Sequence, residues 1–253
     1  MTYQELLEDI AVSYRDILKD NLVGIYVHGS IAMKCFHWNK SDIDFIVVVN
    51  DRLSPDIKLK LMETIGKLNP YAPLKGFEMS VVLMKYCRDF KYPTPFELHY
   101  SAMHLAWYRR DAADYCKNMQ GEDKDLAAHF TIIRKCGIVL CGKPAEEVFG
   151  PVLKDYYLDS IKSDIEAAAS GIMENPVYYV LNLCRVLAYV KEELVLSKEQ
   201  GGKWGRDNLD RRYQDLIARA LRCYQTDETM TADKKETEAF CKYMLKEINL
   251  TKA

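Results

Sequence analysis

"HGSIAMKCFHWNKSDIDF" runs from His28 to Phe45. It opens with a Gly-Ser pair and closes on two aspartates one residue apart, at the start of an apolar run. Residues i and i+2 of a strand share a face. Asp42 and Asp44 therefore project together, with Ile43 and Phe45 pointing the other way. Two adjacent carboxylates repel each other and lose solvation when buried. A divalent cation relieves both penalties, and Mg²⁺ is typically held by one or two carboxylates and completed by phosphates and water. The phosphate end needs donors. Gly29 lets the backbone approach closely, Ser30 adds a hydroxyl and an N–H, and Ser41 lies similarly beside Asp42.

A bare Asp-x-Asp is more often a turn followed by an edge charge, because short motifs match by chance. The surroundings weigh against that here. The motif opens an apolar strand, follows a strand that ends in Gly-Ser, and precedes a third carboxylate, Glu78, in "FEMSVVL". Glu78 and Ser80 share one face of that strand, which is either solvated or converges on the same metal or reacting hydroxyl.

Outward from this stretch, Tyr3, Leu6, Ile10, Tyr14, Ile17 and Leu18 recur at helical spacing over residues 3–20. "VGIYVHG" reads as a buried strand ending at Gly29, and "IDFIVVVND" as a central one. "SPDIKLKLMETIGKL" starts with a Ser54 cap and Pro55 at the first helical position. "GFEMSVVLMKY" is a third strand, whereas "PTPFELHYSAMHLAWYRRD" and "KDLAAHFTIIRKCGIVLCG" read as more helical. "GKPAEEVFGPV" at 142–152 is a connector. Strand signals vanish after Tyr156. "DYYLDSIKSDIEAAASGI", "PVYYVLNLCRVLAYVKEELV", "RRYQDLIARALRCYQ" and "ADKKETEAFCKYMLKEINL" all fit helices. The expected architecture is an α/β domain over 1–150 followed by an all-α domain over 151–253.

The chain has 253 residues, 35 Lys plus Arg against 37 Asp plus Glu, and a net charge of −2, which argues against an extended nucleic-acid surface. Its eight cysteines include no Cys-x-x-Cys pair or zinc spacing, and several lie among aliphatics, as Cys184 does in "VLNLCRVLAYV". They read as reduced core residues of a cytoplasmic protein. The N-terminus carries acidic residues and no continuous apolar core, and no run approaches the roughly 18 residues of a membrane span. His28, His99, His104 and His129 show no ligand pattern and read as core or surface residues.

Gly-Ser, a short connection, Asp-x-Asp and a later carboxylate strand resemble the nucleotidyltransferase superfamily that includes DNA polymerase beta. Further segments are similar to one branch, the aminoglycoside adenylyltransferases that modify spectinomycin and streptomycin. They are "ELHYS" at 97–101, "GKPAEEVFGPV" at 142–152, "LNLCRVLAYV" at 181–190 and "LSKEQGGKW" at 196–204. The resemblance implies an α/β nucleotidyltransferase domain, a mixed sheet with flanking helices, followed by a helical bundle, with residues of both domains serving one active site. It implies ATP as co-substrate and Mg²⁺ held by Asp42 and Asp44. Glu78 is implied as the base that takes the proton from the antibiotic hydroxyl, touching both substrate and metal. Gly29, Ser30 and Ser41 fall around the phosphates, and Arg185, Lys198 and Tyr224 at positions that contact the nucleotide. Read without the resemblance, Lys198 is as well explained by a solvated surface, whereas Arg185 in an apolar helix calls for a partner.

Two departures bear on the acceptor. The branch members that act on streptomycin carry a tryptophan and an aspartate where this chain has Met103 and Asn175. A carboxylate forms charge-assisted hydrogen bonds with a cationic aminoglycoside, so its loss favours the less charged spectinomycin. Asn175 and Tyr178 still line the acceptor pocket in this reading, and Lys34 replaces a family glycine. The expectation is a monomeric adenylyltransferase acting on a small aminocyclitol antibiotic, without nucleic-acid or membrane partners, and resistance is the role this implies. The alternatives are the same chemistry on another small molecule or a protein side chain, and a nucleotide-binding module without catalysis. An intact Asp42, Asp44 and Glu78 set speaks against the module.

Overall fold

Thr2 and Glu5 start the first helix, α1 (Tyr3–Leu18), by satisfying each other's amide groups in a capping box. β1 (Leu22–Val27) leads through one helical turn, α2 (Gly29–Ala32), to β2 (Ile43–Val49), its antiparallel neighbour. α3 (Pro55–Leu68), capped by the Ser54 hydroxyl with Pro55 at its first position, returns the chain to β3 (Phe77–Leu83). β3 runs parallel to β2, which is what a helical crossover permits. Then come α4 (Met84–Arg88), β4 (Thr94–Phe96), β5 (Leu98–Tyr100), α5 (Leu105–Arg110) and α6 (Ala112–Asn118). β6 (Gly121–Asp123), α7 (Leu126–Cys136), β7 (Ile138–Gly142) and α8 (Ala145–Val148) follow.

The computed structural model describes residues 1–249. The chain divides into two compact units, Met1–Tyr156 and Tyr157–Ala253. In the first, a mixed sheet has the order β5-β3-β2-β1-β7, and β4 pairs with β6 in a separate ribbon. The period-2 alternation of β2 and β3 sorts their side chains between two cores. Phe45, Val47, Phe77, Met79 and Val81 pack with α1 and α3, through Leu6, Ile10, Tyr14, Leu61, Met62 and Ile65. Ile46, Val48 and Val82 pack on the opposite face with Leu126, Phe130 and Ile133 of α7. Burial on both faces explains why these strands read as nearly continuous apolar runs.

Two stretches expected to be more helical also hold strands. Within 93–111, β4 and β5 precede the helices, and β5 pairs with β3 through Met79–Tyr100, Ser80–His99 and Val81–Leu98. Within 124–142, α7 stops at Gly137, where a Cβ would lie 2.7 Å from the Ile133 carbonyl, and β7 then pairs antiparallel with β1 at the sheet edge.

α9 (Lys154–Ser163) and α10 (Ala168–Gly171) lead into α11 (Pro176–Glu192), the most buried helix of the second unit, with Val180–Cys184 and Val186–Ala188 inaccessible to solvent. α12 (Lys198–Asn208) packs against it at backbone distance. A Cβ on Gly201 would sit 2.7 Å from the Arg185 Cα, and one on Gly205 would sit 2.5 Å from the Cys184 Sγ. This close approach accounts for the glycines of "KEQGGKWG" inside a helix. α13 (Gln214–Gln225) and α14 (Lys234–Asn249) complete the unit. The last residue of the expected C-terminal helix, Leu250, lies outside the described residues. Five of the eight cysteines, Cys87, Cys116, Cys184, Cys223 and Cys241, are buried. Among the described residues no helix is long and apolar enough to cross a membrane.

Candidate active site

The two parallel strands bring the acidic residues together. Asp44 and Glu78 are direct partners across the β2–β3 ladder, and Asp42 immediately precedes β2. One carboxylate oxygen from each of Asp42, Asp44 and Glu78 lies within 4.8 Å of the others. They occupy the sheet face that carries Ile46 and Val82, the face covered by α7. Burial raises the Glu78 pKa above the ordinary carboxylate range. The nearby His129 works against that shift, while Asp42, Asp125 and Asp123 reinforce it.

Gly29 makes this packing possible. Its φ is +59°, and a Cβ there would fall 1.8 Å from the Asp44 carboxylate oxygen. The close approach expected of this glycine is thus first to Asp44, anchored by a 3.1 Å bond from the His28 amide to the Asp44 carbonyl. The neighbouring Ser30 hydroxyl is buried and has no hydrogen-bond partner among the described residues. Buried polar groups usually have a partner, and this hydroxyl is one of several buried side-chain atoms here without one among the described residues. Ser41, also buried, closes the preceding turn. Its hydroxyl accepts from the His37 amide at 3.2 Å, and its own amide donates to the His37 carbonyl at 2.8 Å.

Lys34 is exposed and has φ 58°, a left-handed conformation that costs an L-residue about 1–2 kcal/mol. A glycine would adopt this conformation without that cost. Lys34→Gly is expected to leave the fold intact and raise stability by up to about 1 kcal/mol, read by urea denaturation.

Three histidines, His28, His99 and His129, lie on or contact the elements that carry the acidic cluster. The His28 ring is buried against that of His129 with centroids 4.3 Å apart, and burial holds its pKa well below the usual value. His99 shares a 2.9 Å hydrogen bond with Ser80, and burial lowers its pKa to about 4. Between pH 6.5 and 4 the unfolded chain therefore takes up a proton at His99 that the folded chain does not. Stability falls as pH falls through that window, by roughly 3 kcal/mol for this residue at pH 4. His99→Gln is expected to flatten the acid limb of the stability profile by that amount, read by urea titrations between pH 7 and 4.

In the second unit, Arg185 lies on α11 with its guanidinium against the Asp164 carboxylate. The Tyr178 hydroxyl donates to the other Asp164 oxygen at 3.1 Å, and the Lys198 ammonium sits 5.5 Å from the centre of the Tyr178 ring. Arg185, Lys198 and Tyr178 therefore gather in one cluster. Tyr224 lies on α13 and is 8% exposed. Asn175 is an exposed residue at the start of α11 whose side chain makes no capping bond, and Met103, in the first unit, is 82% exposed. Asp164 carries no motif signal in the sequence, and His129, which reads there as a core or surface residue, acts on the Glu78 carboxyl. The Asp164–Arg185 pair spans 21 positions, from the turn after α9 to α11, a separation at which no local periodicity operates.

Two family models match this chain. The polymerase beta nucleotidyltransferase model matches residues 11–88, and the aminoglycoside adenylyltransferase C-terminal domain matches residues 147–247. Spectinomycin 9-adenylyltransferase of Staphylococcus aureus is 25% identical over 236 residues, covering 91% of this chain and 89% of that protein. The aminoglycoside (3'') (9) adenylyltransferase of Escherichia coli is 26% identical over 255 residues, covering 96% and 94%. The crystal structure of spectinomycin adenyltransferase AAD(9) from Enterococcus faecialis, with ATP and spectinomycin, superposes with a TM-score of 0.82. It is 19% identical and covers 98% of this chain and 100% of its own, a likeness of fold.

Proposed function

The chain belongs to the aminoglycoside adenylyltransferase family of polymerase beta-like nucleotidyltransferases, and from that premise we propose that it transfers AMP from ATP to a hydroxyl of an aminocyclitol antibiotic, spectinomycin ahead of streptomycin. The observation that carries this reading is the convergence of Asp42, Asp44 and Glu78 beside the Gly29-Ser30 turn.

The donor set suits Mg²⁺. It is all oxygen and all anionic, as a hard divalent cation prefers. A buried orphan hydroxyl stands on Ser30, the neighbour of the glycine that accommodates Asp44. Asp42 and Asp44, with Glu78 within reach, would hold the ion. Bound there, Mg²⁺ would offset charge on the nucleotide phosphates and orient them.

The protein's own groups have distinct tasks. The Ser30 hydroxyl donates to a phosphate oxygen, and Ser41 supports the turn beside it. Arg185 and Lys198 offset phosphate charge, and Tyr224 contacts the nucleotide. Glu78 accepts the proton of the acceptor hydroxyl while that oxygen bonds to the α-phosphorus. The bond from that phosphorus to its bridging oxygen breaks, and pyrophosphate leaves. An alcohol is a poor nucleophile at neutral pH, and a carboxylate whose basicity is raised by burial is matched to this step. Met103, Asn175 and Tyr178 are assigned to the acceptor side. The neutral Met103 and Asn175 put no carboxylate against a cationic sugar, which disfavours streptomycin.

Gly29→Ala tests the geometry of the acidic cluster. Its Cβ must displace the Asp44 carboxylate while adopting a left-handed conformation. Displacements of about an ångström cost on the order of 100-fold in rate, so a loss of that size is expected in steady-state turnover, with a lowered melting temperature.

The reading as a whole is tested by mass spectrometry of spectinomycin and streptomycin after incubation with the protein, ATP and Mg²⁺. The expected result is one AMP added to spectinomycin and none to streptomycin. Absence of an adduct on both drugs, with Mg·ATP still bound, would assign the chemistry to another acceptor.

A further inference from the structure

Asp164 belongs to no motif, yet it touches two residues assigned above to ligands. Its Oδ2 receives the Arg185 guanidinium, and its Oδ1 accepts the Tyr178 hydroxyl at 3.1 Å. Only 14% of the Arg185 side chain and 26% of the Asp164 side chain are exposed, so the pair is largely shielded from water. Tyr178 and Arg185 are seven residues apart on α11, two turns along one face of the helix. The Tyr178 ring lies beneath the Lys198 ammonium, the first residue of α12. Gly201, one turn further, presses α12 onto the Arg185 backbone. One carboxylate thus orients a guanidinium directly, and an ammonium through a phenol.

We propose that Asp164 is a positioning residue that, with the Tyr178 hydroxyl, presets Arg185 and Lys198 for the phosphates of the nucleoside triphosphate. This rests on the adenylyltransferase reading of the site. It also gives the Tyr178 hydroxyl a task on the nucleotide side, in addition to the place of that residue on the acceptor side.

The physical basis is preorganisation. Arginine and lysine lose much rotamer freedom when immobilised, and a binding site that has already fixed them retains more of the contact energy. Two cations that serve one polyphosphate also repel, and a carboxylate paired with one of them offsets that repulsion before the nucleotide arrives. A guanidinium carries five N–H donors in a planar fork, so being held by a carboxylate is compatible with receiving a phosphate. The opposing possibility is competition, in which Asp164 withholds Arg185 from the phosphates. The two differ in sign. Positioning requires that removing the carboxylate weakens nucleotide binding, and competition requires that it strengthens it.

The experiment is calorimetric titration of Mg·ATP into the full chain and five variants, Arg185→Ala alone among them, with melting temperatures to establish that each is folded. Asp164→Asn is expected to raise the Kd about tenfold, or about 1.4 kcal/mol. Tyr178→Phe keeps the ring under Lys198 and loses only the hydroxyl, so a rise of about threefold to fivefold is expected. Asp164→Glu is expected to recover most of the loss. The KM for ATP should rise in parallel, while in Asp164→Asn the KM for spectinomycin stays within about twofold of the starting protein. The decisive arm is Asp164→Asn combined with Arg185→Ala. A residue acting through Arg185 has less than about a twofold effect once Arg185 is gone.

Unchanged or tighter Mg·ATP binding in Asp164→Asn overturns the proposal, as does full additivity with Arg185→Ala. If Asp164→Asn does not fold, Tyr178→Phe decides, and an unchanged Kd there overturns it. Failure of the folded starting protein to bind Mg·ATP overturns the adenylyltransferase reading and this proposal together, which separates that failure from the others.

Discussion

Glu78→Gln is expected to lower the rate of AMP transfer by about 1,000-fold while leaving the dissociation constant for Mg·ATP within about threefold. General base catalysis contributes on the order of 10²- to 10⁴-fold, and a 1,000-fold loss corresponds to about 4 kcal/mol in the barrier. Glutamine keeps the shape of the side chain, and the ladder between Asp44 and Glu78 is made by backbone groups. The variant therefore retains the sheet and loses only the charge and the basic oxygen. Its stability should not suffer. Burial has raised the Glu78 pKa, so just above the ordinary carboxylate range the folded chain binds more protons than the unfolded chain. Stability contributed by this site is thus lost as pH rises through that range. In the metal-free protein at neutral pH, a neutral side chain is expected to raise the melting temperature. Single-turnover transfer, Mg·ATP titration and thermal melting measure the three effects. Full transfer in the variant would remove Glu78 from the role of base. Reduced transfer with a large rise in the Mg·ATP dissociation constant would instead make it chiefly a metal ligand.

How much of this was legible follows from the range over which each signal acts. Strand alternation has a period of two residues, so Asp42 and Asp44 could be set on one face, and Glu78 with Ser80 on another strand, from the sequence alone. Their convergence needed the parallel pairing of β2 with β3, which sets Asp44 opposite Glu78. β5 was missed because three residues are too few to establish a period, and β7 because "CGIVLCG" is apolar enough to continue a helix. Gly137 was the available stop signal. Contacts formed only by tertiary packing left no trace. The packing of the His28 ring against His129, and the carboxylate of Asp164 between Arg185 and Tyr178, join side chains that are far apart in the chain. The reading of Lys34 gained a cause: the departure from glycine is a positive φ occupied by a lysine.

Asp42→Asn separates stability from function most sharply. The three carboxylates lie within 4.8 Å of one another, and each adds repulsion to the metal-free protein. Neutralising one is expected to raise the melting temperature measured in a chelator, because a functional site of this kind is kept at the expense of stability. The same change removes an anionic ligand from the proposed Mg²⁺ site. A bound divalent ion contributes several kcal/mol to phosphoryl transfer, so a rate loss of about 1,000-fold or more is expected. Unlike Glu78→Gln, the variant should also lose affinity for Mg·ATP. The two effects oppose each other in a single thermal assay. Mg·ATP should raise the melting temperature of the starting protein by mass action and leave that of Asp42→Asn nearly unmoved, even though the variant begins higher. A variant that melts lower in chelator would show that Asp42 serves the fold, for instance in the turn that Ser41 closes onto His37. A variant with an undiminished Mg·ATP shift would remove Asp42 from the metal site and leave Asp44 and Glu78 to hold the ion.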